Sequence, residues 1–182
     1  MQSLQAILKD HAFLQDLGAK DLETLAACAQ TRNFTAGEYL WRQGELADVL
    51  YLIRSGSIAL EIFVPHQGPL QIDTVGAGEA FGWSWLIPHY RWHFDVRAVT
   101  PVQVFALDAE CLRQKLDEDP HLSYELLKRL VPVLARRLTN TQRKLLDLHG
   151  SARAWDEDNA TRGSTSRVAS GGTASALINK GP

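Results

Sequence analysis

The sequence has 182 residues and only two cysteines, Cys28 and Cys111, which lie far apart. They form no CxxC pair and have no metal-ligand spacing, so the expectation is two buried, reduced thiols. An excess of charge of one sign is missing as well. Lys and Arg number 19 and Asp and Glu 21, giving a net charge of −2. That excludes the basic footprint of a chain built mainly to hold nucleic acid. No stretch approaches the roughly 20 apolar residues that a membrane helix requires. Lys9 and Asp10 interrupt the amino-terminal segment where a secretory signal would continue its apolar run. Cytoplasm, with no membrane contact, is the resulting expectation. Catalytic signatures are lacking too: there is no G-x-S-x-G elbow. The six histidines (11, 66, 89, 93, 121 and 149) include no H-x-H followed by a Glu and a later His. Neither an enzyme nor a resident cofactor or metal is expected.

What is present is an ordinary globular composition, 45% hydrophobic and 22% charged, enough for a real core. Residues 4–29 carry apolar residues at helical spacing: Leu4, Ile7 and Leu8, then Leu14 and Leu17, a break at Gly18, and Leu22, Leu25 and Ala26. From Thr31 to Leu107 the pattern changes to short β-rich runs separated by turn residues about every ten positions, which predicts an antiparallel sandwich or barrel. Gly37, Gly44, Gly56, Gly68, Gly76 and Gly78 punctuate it. Helical spacing returns at Asp108, a natural N-cap. After Asp119-Pro120, leucines at 127, 130, 134, 138, 145 and 148 form one apolar stripe close to a coiled-coil seam, with Pro132 inside it. Pro132 predicts a kink or a fresh helix start. The chain therefore reads as one domain over residues 1–149: helices to 30, the β-region over 31–107 and helices over 108–149. Residues 150–182, rich in Ser, Thr and Gly, read as a disordered tail.

The stretch FTAGEYLWRQGELADVLYLIRSGSIALEI carries Gly37-Glu38, Gly44-Glu45 with Asp48, and Tyr51-Leu52-Ile53 followed by Gly56. Together with VGAGEAFGWSWL and VRAVTPVQVFALD, it resembles the cyclic-nucleotide-binding domain of bacterial catabolite-activator and FNR-type sensors, over roughly residues 5–149. The resemblance implies a mainly β fold, an antiparallel β-roll (jelly-roll) with amino-terminal helices and a long carboxy-terminal helix. It implies a non-catalytic sensor that signals through that helix as a homodimer. The helix-turn-helix of those transcription factors has no counterpart after His149, so direct nucleic-acid binding is not expected. The corner glycines and the acids beside them read as structural.

In nucleotide-binding members of that family, a short helix after an F-G-E motif holds the cyclic phosphate with its backbone N–H groups, the Glu takes the ribose hydroxyl, and an Arg pairs with the phosphate. This sequence keeps Phe81, Gly82 and Ser84, puts Trp83 at the Glu position and Trp92 at the Arg position. Arg91 stands one residue away. Ordinary cyclic AMP binding is therefore not expected. The candidate ligand site comprises Phe81, Gly82, Trp83, Ser84, Trp85, Tyr90, Arg91 and Trp92, suited to a small anion or another flat ligand stacked on aromatic rings. The alternatives are a pocket plugged by those rings, in a module that works through protein contacts or as a transcription-regulator-like unit, and, remotely, a cupin-like metal enzyme on a similar β-roll.

Overall fold

The computed structural model describes residues 4–168, with side chains described as far as 147. It divides after Arg136 into two units. The first opens with helix α1 (Leu4–Lys9), a 3-10 turn at Ala12–Leu14 and helix α2 (Ala19–Ala27). Eight strands follow: β1 (Ala29–Phe34), β2 (Tyr39–Trp41), β3 (Val49–Ser55), β4 (Ser57–Val64), β5 (Gly68–Gly76), β6 (Ala80–Phe81), β7 (Asp95–Ala98) and β8 (Val102–Asp108). They make two antiparallel four-stranded sheets, ordered β1-β8-β3-β6 and β2-β7-β4-β5. This is the β-roll that the sequence predicts.

The turns explain why the roll closes. Thr35 to Glu38, Arg42 to Glu45 and Gly76 to Glu79 repeat one device. In each, the Glu N–H donates to the carbonyl three residues back, at 3.1, 3.2 and 3.3 Å. The Glu carboxylate accepts from the N–H of that same residue, at 2.8, 3.0 and 2.7 Å. Gly37, Gly44 and Gly78 occupy the third position with φ near +85°, which only glycine adopts without strain. The G-E pairs of the sequence are thus turn clamps. Gly56, between β3 and β4, is held for a second reason: a Cβ there would lie 2.2 Å from the Pro101 carbonyl oxygen.

Strands β3 and β8 are apolar almost throughout, because the amino-terminal helices cover the outer face of their sheet. Leu8, Leu14, Leu22 and Leu25 are buried there. His11 joins them: Nδ1 accepts from the Phe13 N–H at 3.3 Å, so Nε2 carries the proton and donates to the Ile53 carbonyl at 2.8 Å. Burial lowers its pKa, and the imidazole is neutral.

Helix α3 (Ala109–Glu118) starts where the sequence places it, with the Asp108 carboxylate accepting from the Cys111 N–H at 2.8 Å. Asp119 caps helix α4 (Pro120–Val168) in the same way, accepting from the N–H groups of His121 and Leu122. Two expectations differ. No fresh helix starts at Pro132, which lies inside α4, and the α4 backbone runs beyond Gly150, where the sequence expects the tail to begin. Between them, Ala152, Arg153, Ala154, Glu157, Ala160 and Arg162 are residues that favour helix. The expected tail from 169 onward lies outside the described residues.

A third expectation is overturned. Cys28 and Cys111 are not free thiols but a disulfide, with Cα atoms 5.7 Å apart. Their separation of 83 residues hides the fact that β1 and β8 pair antiparallel, with Ala29 opposite Leu107. That pairing brings the end of α2 beside the first turn of α3.

Candidate functional site

The site lies between the two sheets and along the segment from β6 to β7. Phe81 ends β6, and its ring faces Tyr51 of β3 at 5.1 Å between centroids. Gly82 follows with φ +88° and turns the chain into a short 3-10 helix, Trp83–Leu86. A Cβ on Gly82 would come within 3.1 Å of both the Trp92 ring and the Val49 carbonyl oxygen. This glycine is therefore required by close approach as well as by its backbone angle. His89 and Tyr90 also take positive φ, 78° and 44°, and turn the chain back.

The returning segment then runs antiparallel to the Gly44 turn. The Tyr90 carbonyl accepts from the Ala47 N–H at 2.7 Å, the Trp92 N–H donates to Glu45, and the Gly44 N–H donates to Trp92. In such an extended segment, neighbouring side chains point to opposite sides. Trp92 turns inward and is only 4% exposed. Its ring stacks on Trp41 with centroids 3.9 Å apart and planes 13° from parallel. Trp41 in turn stacks on Phe81 and Tyr51, each at 5.4 Å. Its indole N–H donates to the Phe94 carbonyl at 2.9 Å. Four aromatic rings, two from the first sheet, one from the second and one from the returning segment, thus form a continuous stack between the sheets. Burial pushes the Tyr51 hydroxyl above its usual pKa, with Asp48 adding to the effect and Arg32 opposing it.

The other candidate residues fall into three separate places. Ser84 is buried, and its hydroxyl lies 3.1 Å from Nδ1 of His93. Trp83 is half-buried and stacks on the same imidazole at 6.0 Å. Trp85 is fully buried, and its indole nitrogen has no hydrogen-bond partner among the described residues. Its carbonyl accepts from Arg113, whose guanidinium lies 4.9 Å from the centre of the exposed Tyr90 ring. Trp85, Tyr90 and Arg113 border a cleft of about 230 Å³ completed by Leu86, Leu116, Asp117, Ser123 and Leu127. Arg91 faces away from Trp92. It is exposed and donates to the Gly44 carbonyl at 2.7 Å. The structure therefore brings Phe81, Gly82 and Trp92 together, sets Trp83 and Ser84 beside them with His93, and places Arg91 on the outer side.

Trp41 and Arg113 join the site without having been expected there, and Tyr51 and His93, expected as a strand residue of the roll and as a loop histidine, turn out to pack against it. Trp41 had a signal, since it alternates with Leu40 on a strand and so faces the opposite side. Arg97 lies on β7. Its guanidinium pairs with Glu61, which is only 2% exposed and also accepts from the Tyr39 hydroxyl at 3.3 Å. The hydrogen bonds and charge of Glu61 raise the Arg97 pKa further. Val96 and Ala98 on either side are in the core, so Arg97 belongs to the opposite face of that sheet. No cluster of His, Cys, Asp and Glu suited to a metal occurs among the described residues. None of the described helices is long and apolar enough to cross a membrane.

Comparison with known proteins agrees with this architecture. Residues 31–119 match the cyclic nucleotide-binding domain. A cAMP-activated CRP-like global transcriptional regulator of Mycobacterium tuberculosis is 26% identical over 145 residues, 80% of this chain and 63% of that protein. Glutaminase 2 of Bradyrhizobium diazoefficiens is 25% identical over 138 residues, 76% of this chain but 21% of the relative. The chain thus spans less than two thirds of either. Among solved structures, a cyclic nucleotide-binding domain from Methylobacillus flagellatus superposes with a TM-score of 0.65 at 25% identity, over 72% of this chain and 74% of that one. The regulatory domain of Toxoplasma gondii PKA with cAMP gives 0.57 at 26% identity, over 75% and 48%. The stretch from residue 31 to residue 119, which holds all but the first two residues of the eight strands described above, thus belongs to the cyclic nucleotide-binding domain family.

Proposed function

We propose that this chain is a regulatory module whose nucleotide pocket is occupied by its own aromatic side chains, and which works through its helices without cyclic AMP or cyclic GMP. The observation that carries this is the Trp92–Trp41 stack, 3.9 Å between ring centres and closed off by Phe81 and Tyr51. Where the family's phosphate-pairing Arg would stand, an indole supplies only a donor N–H and no charge. Trp83 likewise removes the acceptor for a ribose hydroxyl. A ligand entering here would have to displace a buried tryptophan, whose removal from its contacts costs about 3–5 kcal/mol on the scale of core truncations.

The output we assign to α4. Tyr124, Val131, Leu138 and Leu145 recur every seven residues, and all four are more than half exposed. A seven-residue apolar repeat on one helix fits the seam of a two-stranded coiled coil, which makes a second copy of this chain the proposed partner. A small anion is the second reading. It is favoured by the Ser84 hydroxyl, 3.1 Å from Nδ1 of His93, at the turn after Gly82. Arg91 would contribute only after leaving the Gly44 carbonyl.

A thermal-shift screen with cyclic AMP, cyclic GMP and cyclic dinucleotides tests the main reading. A ligand bound only by the folded state raises stability by mass action. We expect no shift with either mononucleotide at a hundred times the micromolar range; a rise of several degrees would contradict the filled pocket.

A further inference from the structure

We propose that the Cys28–Cys111 pair is a reversible thiol–disulfide switch, and that the chain reads redox state by tightening or loosening α3. The reading of redox as the input rests on the nucleotide pocket being filled; the chemistry of the pair does not.

The cystine links the C-cap of α2 to the first turn of α3, across 83 residues that include all of β1 to β8. Two hydrogen bonds hold the same two residues together without it. The Cys28 carbonyl accepts from the Asp108 N–H at 2.9 Å, and the Asp108 carboxylate accepts from the Cys111 N–H at 2.8 Å. The neighbouring Ala109 N–H donates to the Asp48 carbonyl at 2.8 Å. A reduced pair therefore stays positioned to close again, which is the condition for a reversible switch rather than a permanent staple. Access is unequal: Cys28 is buried, whereas Cys111 is half-buried.

The exchange balances with a dithiol as reductant. A thiolate of the dithiol attacks the more accessible sulfur, at Cys111, and the S–S bond breaks with its electron pair leaving on Cys28, which takes up a proton. The second thiol of the dithiol then attacks its own mixed sulfur and releases Cys111 as a thiol. Two electrons and two protons pass to the protein, and the dithiol leaves as a cyclic disulfide. Reoxidation by that disulfide is the same path reversed. The consequence falls on α3, which buries only Ala109 and Leu112 fully and connects the roll to α4. Without the cystine, α3 keeps those two side chains, its cap, the Ala109 N–H bond to Asp48, the packing of Leu116 and the Arg113 bond to the Trp85 carbonyl, but loses its only covalent cross-link to α2.

The test uses the full chain in reduced or oxidised dithiothreitol, with thiols counted by maleimide mass shift and amides followed by hydrogen exchange. We expect two thiols to appear together on reduction and to vanish together, within one chain, on reoxidation. Amides of α3 should exchange about ten-fold faster in the reduced form, while those of β3 and β8 stay protected. The Cys28→Ser, Cys111→Ser double variant should show the reduced pattern in both buffers. The proposal is overturned if the pair does not re-form within one chain. It is equally overturned if α3 exchanges alike in both states, or if reduction speeds exchange through the whole roll, the mark of a structural cross-link. Tight cyclic AMP binding would sink the filled pocket and leave these results unchanged.

Discussion

Trp92 has a dual character that can be separated by substitution. As a core residue it is 4% exposed and rests on Trp41 and against Gly82. Replacing it with alanine leaves a cavity between the sheets and should lower stability by about 3–5 kcal/mol, measured by denaturant unfolding. As a pocket residue it blocks the ligand volume, so the same variant should gain binding of a small apolar aromatic such as indole, followed by its thermal shift. A loss below 1 kcal/mol with no indole effect would mean the ring is not seated there. Trp83, by contrast, is half-buried and stacks on His93, so its truncation should cost distinctly less. Two tryptophans in one sequence cluster thus have different roles, and only the alternation of the paired segment decides which of them is the plug.

At the scale of elements, α4 carries the next prediction. Changing Leu138 and Leu145 together to Lys places charges on a repeat that is already exposed within one chain. The monomer's fold should be unchanged by circular dichroism, and sedimentation should shift from dimer to monomer. A wild-type chain that sediments as a monomer at high micromolar concentration would contradict the dimer. The elements themselves were largely legible in the sequence. The ten-residue rhythm of turns, the Asp108 cap and the leucine stripe each carry a local signal, and local signals survive without tertiary knowledge. What could not be read is of another kind. The cystine depends on β1 lying beside β8. The burial of Trp92 and the outward turn of Arg91 depend on register against the Gly44 turn, and a one-residue slip would exchange them. The continuation of α4 beyond Gly150 went unread because composition alone speaks of tails, whereas the alanines and arginines there still favour helix.

Across the whole molecule, the same architecture serves proteins with different outputs, among them a regulator and a glutaminase of which this chain matches only part. Fold alone therefore does not set function; the contents of the site do. Here the roll, its turn clamps and the turn at Gly82 are present, and, on the proposed reading, two indoles, Trp83 and Trp92, stand in the places of the ribose and phosphate partners. The most direct measurement is calorimetric titration of cyclic AMP, and separately cyclic GMP, into the full chain. Losing two charge-assisted contacts and a free cavity predicts no saturable heat tighter than about 100 µM. A sub-micromolar dissociation constant for either nucleotide would contradict the account, because it would require Trp92 to leave the stack at little cost.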